Sequence, residues 1–169
     1  GRYFPVNIFF KTLMFISGVA IFLYWYRNFK FFKSLNNKKL IKITYTLGLI
    51  SISFLFLYLI FLGENNYYRF FRKIGIFIYI LFSIISELLL SIIYYRYIDN
   101  ELFNNNFIKF KFYLSIFILT MGVSLFPFMV MKIDNVANLR NIISWNFFLL
   151  IQVNFLFTFL IWKKNKLFS

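Results

Sequence analysis

The stretch IGIFIYILFSIISELLLSIIYY, residues 74–95, decides the fold of this chain. It holds a single charged side chain, Glu87, between Lys73 and Arg96. As a helix it is about 33 Å long, and the hydrocarbon core of a bilayer is about 30 Å thick. Lipid offers no hydrogen bonds, so a segment crossing it must satisfy its own backbone as an α-helix. Working outward, residues 6–26, 43–62, 112–131 and 142–162 repeat the pattern. The first is the shortest, with an uncharged run only from Thr12 to Tyr26, and it spans if Lys11 snorkels or is covered by protein. The sequence therefore predicts an all-α, polytopic transmembrane bundle of about five helices, forming one membrane domain over residues 1–169.

Composition points the same way. Hydrophobic residues make up 62% of the chain and charged residues 14%. Soluble domains average about 45–50% and 25%, so a soluble bundle is excluded. Phe, Ile, Leu, Tyr, Asn and Lys dominate, while Ala occurs only at positions 20 and 137. Those residues have AT-rich codons, which implies an AT-biased genome and suggests organelle encoding. The chain has no Cys and no His, so disulfides and thiolate or imidazole metal and haem sites are ruled out. No metal site and no bound redox cofactor are expected. The net charge is +14, but the charges gather at span ends, so nucleic-acid binding is not expected.

The connections are short and polar. Residues 27–42 carry Arg27, Lys30, Lys33, Lys38, Lys39 and Lys42 with no acid. With five crossings, the first loop, the third loop and the tail share one side. That side holds roughly twice the Lys and Arg of the other, which places it inside and the N-terminus outside. Tyr24, Trp25, Tyr26, Tyr94, Tyr95, Tyr97 and Trp162 fall at span ends, where an aromatic belt is expected.

An intramembrane carboxylate is expensive and is a functional hypothesis by default. Glu87 shares a helical face with Ser83, Ser91 and Tyr94 by i, i+4 spacing, so the stripe faces protein rather than lipid. A proton or a lipid headgroup is its candidate ligand. A neutral Glu hydrogen-bonded to a neighbouring helix is the simpler role. In the second span Thr44, Gly48 and Ser51 make a small-residue face for close packing. The fifth span carries Ser144, Asn146, Gln152, Asn154 and Thr158, suited to interhelical hydrogen bonds. Lys132, at a span end, is the candidate base for an alternative proton path, or else an interfacial anchor. No nucleophile–base pair or Gly-rich phosphate loop is present, so no catalytic residue is assigned.

Three patterns in order resemble mitochondrial cytochrome c oxidase subunit III. They are Phe4-Pro5 followed by Ser17-Gly18-x-Ala20; Ile80-Leu81-Phe82-Ser83-Ile84-Ile85-Ser86-Glu87; and Gly122-Val123-Ser124 with Asp134-Asn135 after it. The resemblance covers about residues 4–160. It implies a core subunit without metal that packs beside a haem–copper catalytic subunit in the mitochondrial inner membrane, binds phospholipid in a cleft and supports turnover. Glu87 would then match the family's membrane carboxylate near the proton-uptake side, with Ser83, Ser86 and Ser91 around it. Ser17, Gly18, Gly48, Gly122 and Ser124 would serve helix packing. The chain departs from the family in having five spans instead of seven, no His, and an N-terminus that charge places on the opposite side. Gly122 and Lys132 also resemble a segment of NADH dehydrogenase subunit 2, which would make the chain a fragment of a proton-translocating subunit. A lineage-specific membrane scaffold is the third alternative.

Overall fold

The computed structural model describes residues 6–34, 38–62, 68–96, 106–130 and 137–164, and these are almost wholly helical. Five helices follow one another: α1 (Val6–Ser34), α2 (Lys38–Ile60), α3 (Arg69–Arg96), α4 (Asn106–Val130) and α5 (Ala137–Lys164). Among the described residues, Ile8–Lys33, Lys39–Ile60, Arg69–Arg96 and Asn106–Val123 are long and apolar enough to cross a membrane. The protein is a multi-pass helical membrane protein. Helix α5, 28 residues long, covers the fifth expected span.

The helices run beyond the expected spans, past the charges that bound them. Helix α1 continues past Tyr26 to Ser34, and α4 begins at Asn106 instead of Phe112. Arg and Lys are good helix formers and their long stems reach water, so a charge near a span end does not stop a helix. Lys30 and Lys33 accordingly ride on α1, and Lys109 and Lys111 on α4.

By their contacts the helices fall into two compact units, Gly1–Ser86 and Glu87–Ser169, with the division inside α3. In the first unit α1 packs along α2. Small residues set the closeness of that seam. A Cβ on Gly48 would lie 2.5 Å from the Trp25 ring, and one on Gly18 would lie 2.9 Å from Phe56. Real Cβ contacts do not approach so near, so a methyl at Gly48 would displace the buried Trp25 ring, and one at Gly18 would require the tip of the Phe56 ring to move. Thr44 and Ser51 are buried beside this seam, but their hydroxyls bond back to Leu40 O (2.9 Å) and Gly48 O (2.7 Å) of their own helix. They contribute small volume to the seam, and these bonds do not cross it. Trp25 is 1% exposed. It therefore fills the seam instead of joining the expected aromatic belt, whereas Tyr26 beside it is exposed.

The first half of α3 packs on α2. A Cβ on Gly75 would stand 3.1 Å from Phe54 O and Tyr58 Cβ. Arg72 donates to Phe61 O at 3.2 Å, capping a carbonyl just beyond the α2 C-terminus, where a cation is favourable. The outer surface of α1 shows what surrounds it. Ile8, Phe9, Leu13, Phe15, Ile16, Phe22 and Leu23 are all exposed. Only 22% of its most apolar window is buried within the chain. In water such a surface would aggregate; in a bilayer it is solvated by acyl chains.

In the second unit α4 packs against α5. A Cβ on Gly122 would meet the Phe147 ring at 3.7 Å, an ordinary contact, so close approach does not require glycine there.

Candidate functional site

Three helix segments of the second unit each bring two polar residues one turn apart: Glu87 and Ser91 on α3, Lys111 and Ser115 on α4, Asn154 and Thr158 on α5. The i, i+4 spacing puts each pair on one face of its helix. All six are at most 2% exposed. The Lys111 ammonium lies 2.5 Å from Glu87 Oε2 and donates to Asn154 Oδ1 at 2.5 Å. Its third direction points to Asn154 O at 3.5 Å. The Asn154 amide donates onward to Ser115 Oγ at 2.7 Å, which fixes which amide atom faces the lysine. Thr158 Oγ1 donates to Asn154 O at 3.4 Å.

Ser91 and Ser115 meet at 2.8 Å. Ser91 also reaches Glu87 O (2.7 Å), and Ser115 reaches Lys111 O (2.9 Å). Two hydroxyl protons therefore face three acceptor directions, so when the hydroxyls bond each other one backbone bond is released. One polar atom has no partner: Glu87 Oε1 is buried without a hydrogen bond.

The site is shielded at its end by Tyr94 and Trp162. Trp162 Nε1 donates to the Tyr94 hydroxyl at 2.7 Å, and Tyr94 is fully buried. That overturns its expected place in the aromatic belt. At 1.5 Å per residue, Glu87 lies about 13 Å from the end of α3 at Arg96, and Lys111 about 7 Å from the start of α4. The pair sits within the crossing but off its centre, toward the side of residues 97–105.

A lone charge in hydrocarbon is costly, and a pair is neutral as a whole. Glu87 and Lys111 can exist as carboxylate and ammonium or, after one proton shift, as acid and amine. The net charge is zero in both. The cluster can therefore lock three helices, hold a proton, or do both. Glu87 is the only acidic residue among the described residues, and these contain no grouping of three His, Cys, Asp or Glu.

Of the four residues expected at this site, Glu87, Ser83, Ser86 and Ser91, the structure brings two into the cluster. Glu87 and Ser91 join the cluster, where α4 and α5 of the same chain cover them. Ser83 is buried with its hydroxyl unpartnered, and Ser86 bonds back to Ser83 O at 3.1 Å. Both lie in the first unit. Of the packing residues, Gly18 and Gly48 sit in the tight α1–α2 seam, Ser17 is half-buried, and Gly122 has room beside it. Lys132, Asp134 and Asn135 lie outside the described residues, as does the side chain of Ser124.

Sequence reading missed Lys111 and Ser115. Lys111 falls one residue short of the expected span 112–131, where its charge reads as part of the connection. A signal was present: acid–x3–Ser at 87 and 91, answered by base–x3–Ser at 111 and 115, in consecutive antiparallel spans. No family model, no curated protein and no solved structure matches this chain.

Proposed function

We propose that this protein is a non-catalytic membrane subunit of a respiratory-chain complex, resembling cytochrome c oxidase subunit III, in the mitochondrial inner membrane. The observation that carries the reading is the carboxylate of the third span, Glu87, buried and held by Lys111 within the same chain. Three supports stand behind it. The ordered patterns around Ser17-Gly18, Glu87 and Gly122 follow that family. The polar residues form an internal network across three helices, suited to stiffening a subunit. The large apolar surface of α1 suits lipid or a neighbouring membrane subunit. Haem and copper belong to the partner in this reading. Because Ser91 and Glu87 are covered by this chain, the partner docks on another face. The test is purification of the tagged chain from its own membranes in mild detergent. The proposal expects a haem a absorbance and oxygen consumption with reduced cytochrome c. A complex that respires from NADH and lacks haem a overturns it.

A second reading has its own observation. Glu87 Oε1 is an open acceptor beside a buried acid–base pair, the equipment of a proton-translocating subunit. In that reading Lys111, not Lys132, is the base. Reconstituted complex with Glu87→Gln separates the two. Loss of proton uptake in liposomes with electron transfer retained supports translocation. Retention of both supports the accessory role.

A further inference from the structure

The last two turns of α1 carry a feature unconnected with the Glu87 cluster. Tyr26, Phe29, Lys30 and Lys33 line an open groove of about 480 Å³. One lining side chain is held in place: the Phe29 ring stacks on Tyr45 of α2, with centroids 4.6 Å apart and planes at 23°. Lys33 does not extend into open space, because its ammonium lies 5.7 Å from the centre of the Phe29 ring. Lys30 and Lys33 stand one turn apart, both exposed, on the same face. No acid occurs between residues 27 and 42 to neutralise them.

Depth decides what such a groove meets. Helix α1 has 29 residues, about 43 Å, and exceeds the hydrocarbon by about 13 Å. A crossing that starts near Ile8 leaves the acyl region near Arg27. Tyr26 then sits at the boundary, and Lys30 and Lys33 stand within the headgroup layer. Two exposed ammonium groups beside Tyr26 and Phe29, one of them over the Phe29 ring, match at that depth a phosphodiester whose glycerol and first methylenes pack on the two rings.

We infer that this groove on α1 is a binding site for the headgroup of an anionic phospholipid, with Lys30 and Lys33 holding the phosphate and Phe29 and Tyr26 packing the glycerol end. The inference rests on the membrane-spanning character of α1 and is independent of the respiratory reading. Phosphate alone shares the chemistry, so the experiment separates the two sources.

The full chain in neutral detergent is titrated with phosphatidylglycerol or phosphatidylcholine, and retained lipid is counted by native mass spectrometry. Phosphatidylglycerol is expected to be retained over phosphatidylcholine. The double substitution K30Q/K33Q is expected to weaken its retention about thirty-fold, from roughly a fivefold contribution per lysine. K109Q makes a single charge change at an exposed site on α4 and is expected to leave retention unchanged. Equal retention of the two lipids overturns the inference, and so does a loss in K109Q as large as in K30Q/K33Q. Displacement of phosphatidylglycerol by inorganic phosphate at equal concentration assigns the groove to free phosphate and overturns the lipid.

Discussion

Replacing Lys111 with Met is the sharpest test of the cluster. Met is similar in length and apolar, so packing is nearly kept while the ammonium is lost. Glu87 Oε2 (2.5 Å) and Asn154 Oδ1 (2.5 Å) lose their donor, while Asn154 O loses a longer contact (3.5 Å) and keeps Thr158 Oγ1. Glu87 Oε1 already lacks one, so neither carboxylate oxygen then has a hydrogen-bond donor. Removing one member of a buried ion pair costs about 3–5 kcal/mol. In membranes the unfolded reference also finds partners, and individual hydrogen bonds there average about 0.6 kcal/mol, so the low end of that range is expected. Glu87→Gln retains an acceptor for the ammonium and is expected to cost about 1.5–3 kcal/mol. The double variant K111M/E87Q leaves no buried charge at all. It is expected to be about 2 kcal/mol more stable than the sum of the two single losses, the coupling expected for residues in direct contact. The assay is reversible unfolding in mixed micelles followed by circular dichroism, with all four members of the cycle measured. If Lys111→Met costs less than about 1 kcal/mol and the double variant equals the sum, the pair is not a buried lock and the reasoning fails.

Other expectations follow from single distances. Gly48→Ala places a methyl 2.5 Å from the Trp25 ring and is expected to destabilise by about 1–3 kcal/mol, whereas Gly122→Ala, with 3.7 Å to Phe147, is expected to be neutral or stabilising by up to about 1 kcal/mol; the same unfolding assay compares them, and equal effects would contradict the seam geometry. Because the chain has no Cys, single-cysteine variants can be labelled cleanly. Lys109→Cys, exposed, is expected to react with a membrane-impermeant maleimide added to opened vesicles, and Lys111→Cys, fully buried two residues away, is not. Similar rates at both sites would show that α4 is rotated from the position described. Trp162→Phe removes the donor to Tyr94 and is expected to cost about 1 kcal/mol, read as a lower unfolding midpoint. Asn154→Leu strips both Lys111 and Ser115 of a partner and is expected to exceed that loss clearly.

The helices themselves were legible in the chain because a membrane crossing is a local property. Twenty apolar residues in a row declare a spanning helix without reference to any other part of the molecule. Glu87 stood out for the same reason, as one charge in an uncharged run, and so did the small residues of α2. Helix ends were less legible, since Arg27 and Lys111 look like boundaries until the helix is seen to run through them. What Glu87 touches depends on a residue 24 positions away and on Asn154, a further 43 beyond Lys111. No periodicity within one helix specifies which face of another it meets. That choice belongs to tertiary packing, where a buried charge settles only against a partner able to neutralise it. The same logic took Trp25 and Tyr94 out of the expected aromatic belt, because a neighbouring glycine or indole offered them a better-packed place inside. Sequence determined the medium, the helices and the presence of a buried acid; the fold alone decided that its counter-charge is Lys111.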